Sequence, residues 1–133
     1  MAMNECILDT NVLIAQSGVK LPDDTTFLVT SISYAELQFG LSTSLGDGRV
    51  HAERSLRLNR AKAIYGAGLP FDDQASTSYG YLTELLLTHG RSPRGRIVDI
   101  MIASIAHSRG ASLITQNIDD FVGLEDAVHV MPS

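Results

Sequence analysis

Short apolar runs alternate along this chain with longer stretches in which apolar residues recur at three- and four-residue spacing. Cys6-Ile7-Leu8, Phe27 to Thr30, Ala111 to Thr115 and Val128 to Met131 read as strands. The first and third are apolar enough to be covered on both faces. Asn11 to Gln16 reads as a helix that stops at Gly18, and Leu21 to Thr26, with Pro22, Asp23 and Asp24, as a loop. Ser33 followed by Glu36 fits a capping box that opens a helix carrying Leu37, Leu41 and Leu45 on one face. Gly46-Asp47-Gly48 then leads into a basic amphipathic helix over His51 to Gly66, with Leu56, Leu58, Ala63 and Ile64 among its apolar positions. Leu69-Pro70-Phe71 is a short strand or sheet edge. Asp72 or Asp73 caps a helix running to His89, with Tyr81, Leu82, Leu85 and Leu86 at helical spacing. After a loop from Gly90 to Gly95, Arg96 to Ser108 reads as a strongly apolar helix closed by Gly110.

Helices alternating with buried strands predict an α/β chain: a central, mostly parallel sheet of four to five strands flanked by helices, in one domain over 1–133. The lone cysteine, Cys6, excludes an internal disulfide and fits a buried thiol in a reducing compartment. No apolar run approaches the roughly 18 residues of a membrane span, and Asp9 and Asn11 interrupt any signal-peptide core. A cytoplasmic protein is the expectation.

The net charge of −5 argues against non-specific polyanion binding by the whole surface. The positive charges are nevertheless grouped: Arg49, Arg54, Arg57, Arg60 and Lys62 form one set, and Arg91, Arg94 and Arg96 another. Arg54, Arg57 and Arg60 recur every third residue and share a helix face. They form either a solvated stripe or a rail for a nucleic-acid backbone, with Arg91, Arg94 and Arg96 at the mouth of an adjoining site.

The carboxylates carry the chemistry. Asp9 and Glu36 each follow a strand by a few residues and could serve as helix-start groups alone. Asp99 has less structural excuse, because Ile97, Val98, Ile100, Met101 and Ile102 surround it and an unpaired buried carboxylate is costly. Asn117, Asp119 and Asp120 follow the strand ending at Thr115. In a parallel sheet the strand-following groups emerge at one carboxyl edge, where α/β proteins bind ligands. Carboxylates gathered there repel one another unless a cation neutralises them, and an oxygen-only set suits Mg²⁺ or Mn²⁺.

These residues resemble the motifs of the PIN-domain ribonucleases, and within them the VapC-type toxins of toxin–antitoxin pairs. Ile7-Leu8-Asp9-Thr10-Asn11-Val12-Leu13-Ile14 resembles the first acidic motif, and Ser33-Tyr34-Ala35-Glu36-Leu37 with Gly40 the second. Asp99-Ile100-Met101-Ile102-Ala103 through Gly110 and Leu113-Ile114-Thr115 resembles the third. Thr115-Gln116-Asn117 with Asp120-Phe121 resembles the fourth, where many family members carry an aspartate in place of Asn117. The resemblance implies a PIN-like three-layer sandwich and an Mg²⁺- or Mn²⁺-dependent endoribonuclease leaving a 5′-phosphate and a 3′-hydroxyl. It implies Asp9 and Asp99 as metal ligands, Glu36 and Asn117 as further catalytic positions, and Asp119 or Asp120 as substitutes for the missing acid. Thr10, Asn11 and Thr115 would position water or phosphate. The implied partners are RNA and a small antitoxin whose basic residues enter the acidic site, around a toxin homodimer.

Two other classes fit parts of the pattern. A non-catalytic nucleic-acid-binding module would explain the arginines but not Asp99. A receiver-type phosphoacceptor domain also gathers acids at strand ends, but it needs a lysine after a late strand, and the only lysines are Lys20 and Lys62. The histidines His51, His89, His107 and His129 show no ligand-type spacing, and no Gly-rich phosphate loop is present.

Overall fold

A computed structural model describes residues 4–15 and 24–133. The strands are β1 (Asn4–Leu8), β2 (Thr25–Leu28), β3 (Ser112–Thr115) and β4 (Val130–Pro132); all pair in parallel, in the order β2-β1-β3-β4. The helices are α1 (Thr10–Ala15), α2 (Ser31–Ser42), α3 (Gly48–Tyr65), α4 (Asp73–Thr88) and α5 (Ile97–Arg109), and a 3-10 turn spans Ile118–Phe121.

Alternation along the strands makes the layers. Ile7 and Leu113 point into a cluster with Leu82 and Leu86 of α4 and Ile102 and Ile105 of α5. Cys6, Leu8 and Ile114, one residue out of phase, point the other way, against Val12, Leu13, Leu37 and Leu58 from α1, α2 and α3. Two strands with both faces apolar can be satisfied only by helices on both sides, which accounts for the predicted three-layer arrangement with four strands. Cys6 is buried and free, and burial pushes its thiol pKa up. Among the described residues no helix is long and apolar enough to cross a membrane.

The sheet order reverses direction between β1 and β3, and a crevice opens at their carboxyl ends. α5 runs into β3, so its first turn lies back at that same edge. α2 starts there as well, directly after β2. The chain past α3 clamps this start: Leu69 N donates to Val29 O at 2.9 Å, Ser31 N donates to Leu69 O at 2.9 Å, and Thr30 and Leu69 form a single parallel bridge.

Several local expectations are corrected. α2 is capped by Thr30, whose side chain accepts from Ser33 N, so Ser33 lies inside the helix and the proposed capping box does not form. The helix stops at Ser42, and Leu45, beyond it, is 76% exposed. α3 begins at Gly48 with Asp47 as its cap; it buries only Leu58 and Ala61, while Leu56, Ala63 and Ile64 face solvent. The Leu69–Phe71 segment contributes one bridge and no strand. In α4, capped by Asp72, Leu82 and Leu86 are buried but Tyr81 is exposed. β4 sits two residues later than expected, at the sheet edge, where Pro132 is tolerated. The first turn of α5 is open, with Ile97 and Val98 exposed, so Asp99 is half-buried and not enclosed. α1 begins at Thr10; its predicted end at Gln16, the Gly18 stop and the Leu21–Asp23 part of the loop lie outside the described residues.

Candidate active site

Asp9 follows β1 and is 4% exposed. Its backbone N–H donates to Ile114 O at 2.8 Å, which ties it to the end of β3. Its side chain is fixed at both oxygens: Oδ1 accepts from Thr10 N and Oδ2 from Thr115 Oγ1, each at 2.9 Å. Burial raises its pKa, the Thr115 and Thr10 hydrogen bonds pull it down, and Glu36 and Asp120 push it up. A helix cap normally takes its hydrogen bond two or three residues on. Asp9 instead bonds the first residue of α1 with one oxygen and the end of β3 with the other, so its carboxylate is held between the two elements.

Thr115, at the end of β3, is the hub of this edge. Its buried hydroxyl donates to Asp9, lies 3.3 Å from Asn11 Nδ2 and accepts from Asn117 N at 3.1 Å. Asn11 also accepts at Oδ1 from Gln116 N at 3.2 Å, so α1 and the loop after β3 are laced together. Thr10 Oγ1 is 2.5 Å from Glu36 Oε1 and 2.8 Å from Ser33 Oγ. A hydroxyl has one proton. The carboxylate is the stronger acceptor for it, which leaves Ser33 to donate back to Thr10 and fixes Glu36 relative to Asp9.

Asp99 projects from the first turn of α5. Its pKa is pushed up to about 6, first by burial and then by Asp9, Asp120 and Glu36; Arg96 opposes them. The mutual electrostatics thus place Asp9, Glu36, Asp99 and Asp120 in one field. Asn117 is exposed and carries no charge, and its Nδ2 donates to Asp120 Oδ2 at 3.0 Å. Asp120, three residues after Asn117, is a carboxylate of this loop whose charge acts on both Asp9 and Asp99. Asp119 is exposed, and its carbonyl oxygen accepts from Arg96 Nη2 at 2.7 Å.

The arginines divide by role. Arg96 donates to the carbonyls of Asp119 and Val122, bracing the 3-10 turn beneath Asp120. Arg54 donates to Gly40 O at 2.6 Å and to Thr43 Oγ1, closing the end of α2. Arg60 and Arg94 are exposed, and Arg57 is half-buried. The predicted rail of three equivalent arginines on α3 is thus not uniform. The bracing role of Arg96 was not legible in the sequence, because its acceptors are backbone carbonyls more than twenty residues away.

The donor set fits a divalent cation in chemistry: all oxygen, net negative, with the Asp9 and Asp99 pKa values raised first by burial and then by neighbouring carboxylates. Among the described residues no three acidic, histidine or cysteine side chains close into a ready-made cage.

A carboxylate crevice at the switch point of a parallel sheet, approached by α2 and the start of α5, defines a class that comparison with known proteins identifies. Residues 6–125 match the PIN domain, and the chain belongs to that family. The chain is 37% identical to Ribonuclease VapC5 of Mycobacterium tuberculosis, over 93% of this chain and 90% of that one. It is 31% identical to Ribonuclease VapC2 of Rickettsia felis, over 86% and 88% respectively. Its structure superposes on that of the VapBC-5 toxin–antitoxin system of M. tuberculosis with a TM-score of 0.79 at 34% identity, covering 96% of each chain. VapBC2 of R. felis bound to a promoter DNA fragment gives a TM-score of 0.73 at 23% identity, a likeness of fold, covering 97% of this chain and 98% of that one.

Proposed function

We propose that this protein is a VapC-type toxin: a divalent-metal-dependent endoribonuclease that cuts RNA at the carboxylate crevice and is restrained by a small antitoxin. The observation that carries this reading is the lacing of Asp9, through Thr10 to Glu36 and through Thr115 to the end of β3, beside Asp99, whose ionisation burial, Asp9, Asp120 and Glu36 all oppose. That excess of negative charge would repel a phosphodiester unless a cation intervened. The curated relatives named as ribonucleases support the choice of substrate.

Asp9 and Asp99 would hold Mg²⁺ or Mn²⁺, with Glu36 and Asp120 alongside; when bound, the ion supplies a polarised phosphate oxygen and an ionised water for in-line attack. The protein's own groups set the geometry. Thr115 and Thr10 lock the Asp9 carboxylate, Thr10 holds Glu36, and Asn117 steers Asp120. Arg96 fixes the 3-10 turn so that Asp120 stays in the field. Cleavage on this reading leaves a 5′-phosphate and a 3′-hydroxyl. The acidic crevice also suits an antitoxin that presents a basic segment, as complementary potentials require.

The test is cleavage of RNA by the purified protein with Mg²⁺ or Mn²⁺, stopped by EDTA, giving fragments that ligate directly through a 5′-phosphate. Cleavage that persists in EDTA, or fragments with 2′,3′-cyclic phosphate ends, would contradict it. A finer expectation concerns the hub. Thr115→Val keeps the shape but removes the hydroxyl, costs about 1–2 kcal/mol of stability, and raises the Asp9 pKa further. The acid limb of the rate–pH profile should move to higher pH. A profile that stays in place would show that Thr115 does not tune Asp9.

A further inference from the structure

Beside the carboxylates, between α2 and α3 and the exposed side of α1, lies a hollow of about 330 Å³, at the lower end of ligand-site sizes. Glu36 forms one wall, so the hollow shares a carboxylate with the candidate active site. Ile14 and Phe39 line it and are 47% and 70% exposed. Its two arginines differ. Arg54 is occupied by Gly40 O and Thr43 Oγ1. Arg57, nearly one turn further along α3, lines the hollow half-buried, and its guanidinium makes no hydrogen bond or ion pair among the described residues. A guanidinium carries five donors in a fixed fork, and the acceptor that suits it best is a phosphate or carboxylate oxygen.

The hollow therefore offers one unsatisfied cationic donor and one flat, exposed aromatic ring at the edge of an otherwise negative crevice. Single-stranded RNA is recognised by that pair: a phosphate on arginine and an unstacked base on an aromatic face. We propose that this hollow is the subsite for the nucleotide flanking the scissile phosphate, Arg57 taking its phosphate and Phe39 stacking on its base. The inference rests on the ribonuclease reading above. It also predicts that Arg54, Arg57 and Arg60 are unequal, with Arg57 the one that positions RNA and Arg60 a solvated charge.

The experiment is binding of a fluorescein-labelled, mixed-sequence, 12-nucleotide single-stranded RNA in the Asp99→Asn background, where cleavage does not interfere. Arg57→Gln should weaken affinity at least tenfold and reduce the slope of log affinity against log salt by about 0.7, the value for one single-strand phosphate contact. Arg60→Gln should change affinity less than twofold. Phe39→Leu should weaken it about fivefold or more with the salt slope intact, and should relieve the quenching of a 2-aminopurine placed in the RNA. In the active protein the same changes should raise KM and leave kcat within about twofold. Should Arg57→Gln fold poorly by circular dichroism, Arg57→Lys and Phe39→Leu carry the test. Equal effects at Arg57 and Arg60, or no effect at Phe39, overturn the subsite. Unchanged RNA affinity with release of a co-purifying partner protein would reassign the hollow to that partner and overturn it too. Absence of metal-dependent cleavage by the unaltered protein would sink the ribonuclease reading itself; intact cleavage with unaltered KM would sink only the subsite.

Discussion

Asp99→Asn should abolish RNA cleavage, by at least about a hundredfold, while making the metal-free protein more stable at neutral pH. Both effects have one cause. Asparagine keeps the shape of the side chain and removes a charge that burial, Asp9, Asp120 and Glu36 all oppose. The folded chain holds the Asp99 proton more tightly than the unfolded chain does, since the carboxyl is raised from an ordinary 3.8 to about 6. The cost of ionising it is therefore absent below about pH 4, grows as pH rises, and is complete above about pH 6. A shift of that size corresponds to roughly 3 kcal/mol at most, and to less at a half-exposed group screened by water. The difference in melting temperature between Asp99→Asn and the unaltered protein should thus be near zero at pH 4 and reach several degrees at pH 7. Measuring the difference between the two proteins cancels groups that run the other way, such as Glu125, whose pKa is lowered by the backbone N–H of Gly123 and its own. A flat difference across that range, or a variant that still cuts RNA, would remove Asp99 from the site.

The largest loss of stability tied to the site's geometry should come from Gly68→Ala. A Cβ there would lie 2.7 Å from Ser31 N, 2.9 Å from Ser31 Cα and 2.9 Å from the Tyr34 ring. The first two are backbone atoms, which cannot swing aside as a flexible side chain can. They also belong to the clamp that starts α2, where Ser31 N bonds Leu69 O. Overpacking of this kind costs about 2–3 kcal/mol, or on the order of 6–12 °C in melting temperature for a chain of this size. Because Glu36 sits five residues into the displaced helix, RNA cleavage should fall about tenfold as well. Gly80→Ala is the internal control. Gly80 is exposed within α4 with nothing within 4 Å of a new Cβ, so the change should stabilise by up to about 1 kcal/mol through helix propensity. Equal melting temperatures for the two variants would refute the clamp.

Comparison of these residues with the sequence shows where each kind of reasoning holds. The crevice was legible because it depends on topology: parallel strands send Asp9, Glu36 and Thr115 to one edge, and a helix running into β3 returns Asp99 to it. Strand length and apolarity announced that much, since Cys6 to Leu8 and Leu113 to Ile114 leave no face for water. What required coordinates was the choice among close alternatives. Asp119 and Asp120 are indistinguishable by type and position, and only the folded chain shows that Arg96 braces the carbonyl of the first while the charge of the second acts on Asp9 and Asp99. Thr30 displaced Ser33 as the cap because β2 carries straight into α2 with no loop between them, a boundary that propensity resolves poorly. The face of α3 was misjudged because Leu56 and Ile64 look like core residues in a pattern, yet α3 lies on the outside of its layer and buries little.

On the reading proposed above, Asp9 and Asp99 hold one cation, with Glu36 and Asp120 beside them. The most direct measurement is the melting temperature of EDTA-stripped protein as Mn²⁺ is added, compared with that of Asp9→Asn. Binding to the folded state alone stabilises by about 2.7 kcal/mol at a hundredfold excess over Kd. The unaltered protein should therefore gain several degrees, saturably. Asp9→Asn should start higher, because one of the repelling charges is gone, and should gain little. An equal gain in both proteins, or none in either, would contradict the claim that these carboxylates converge on a metal.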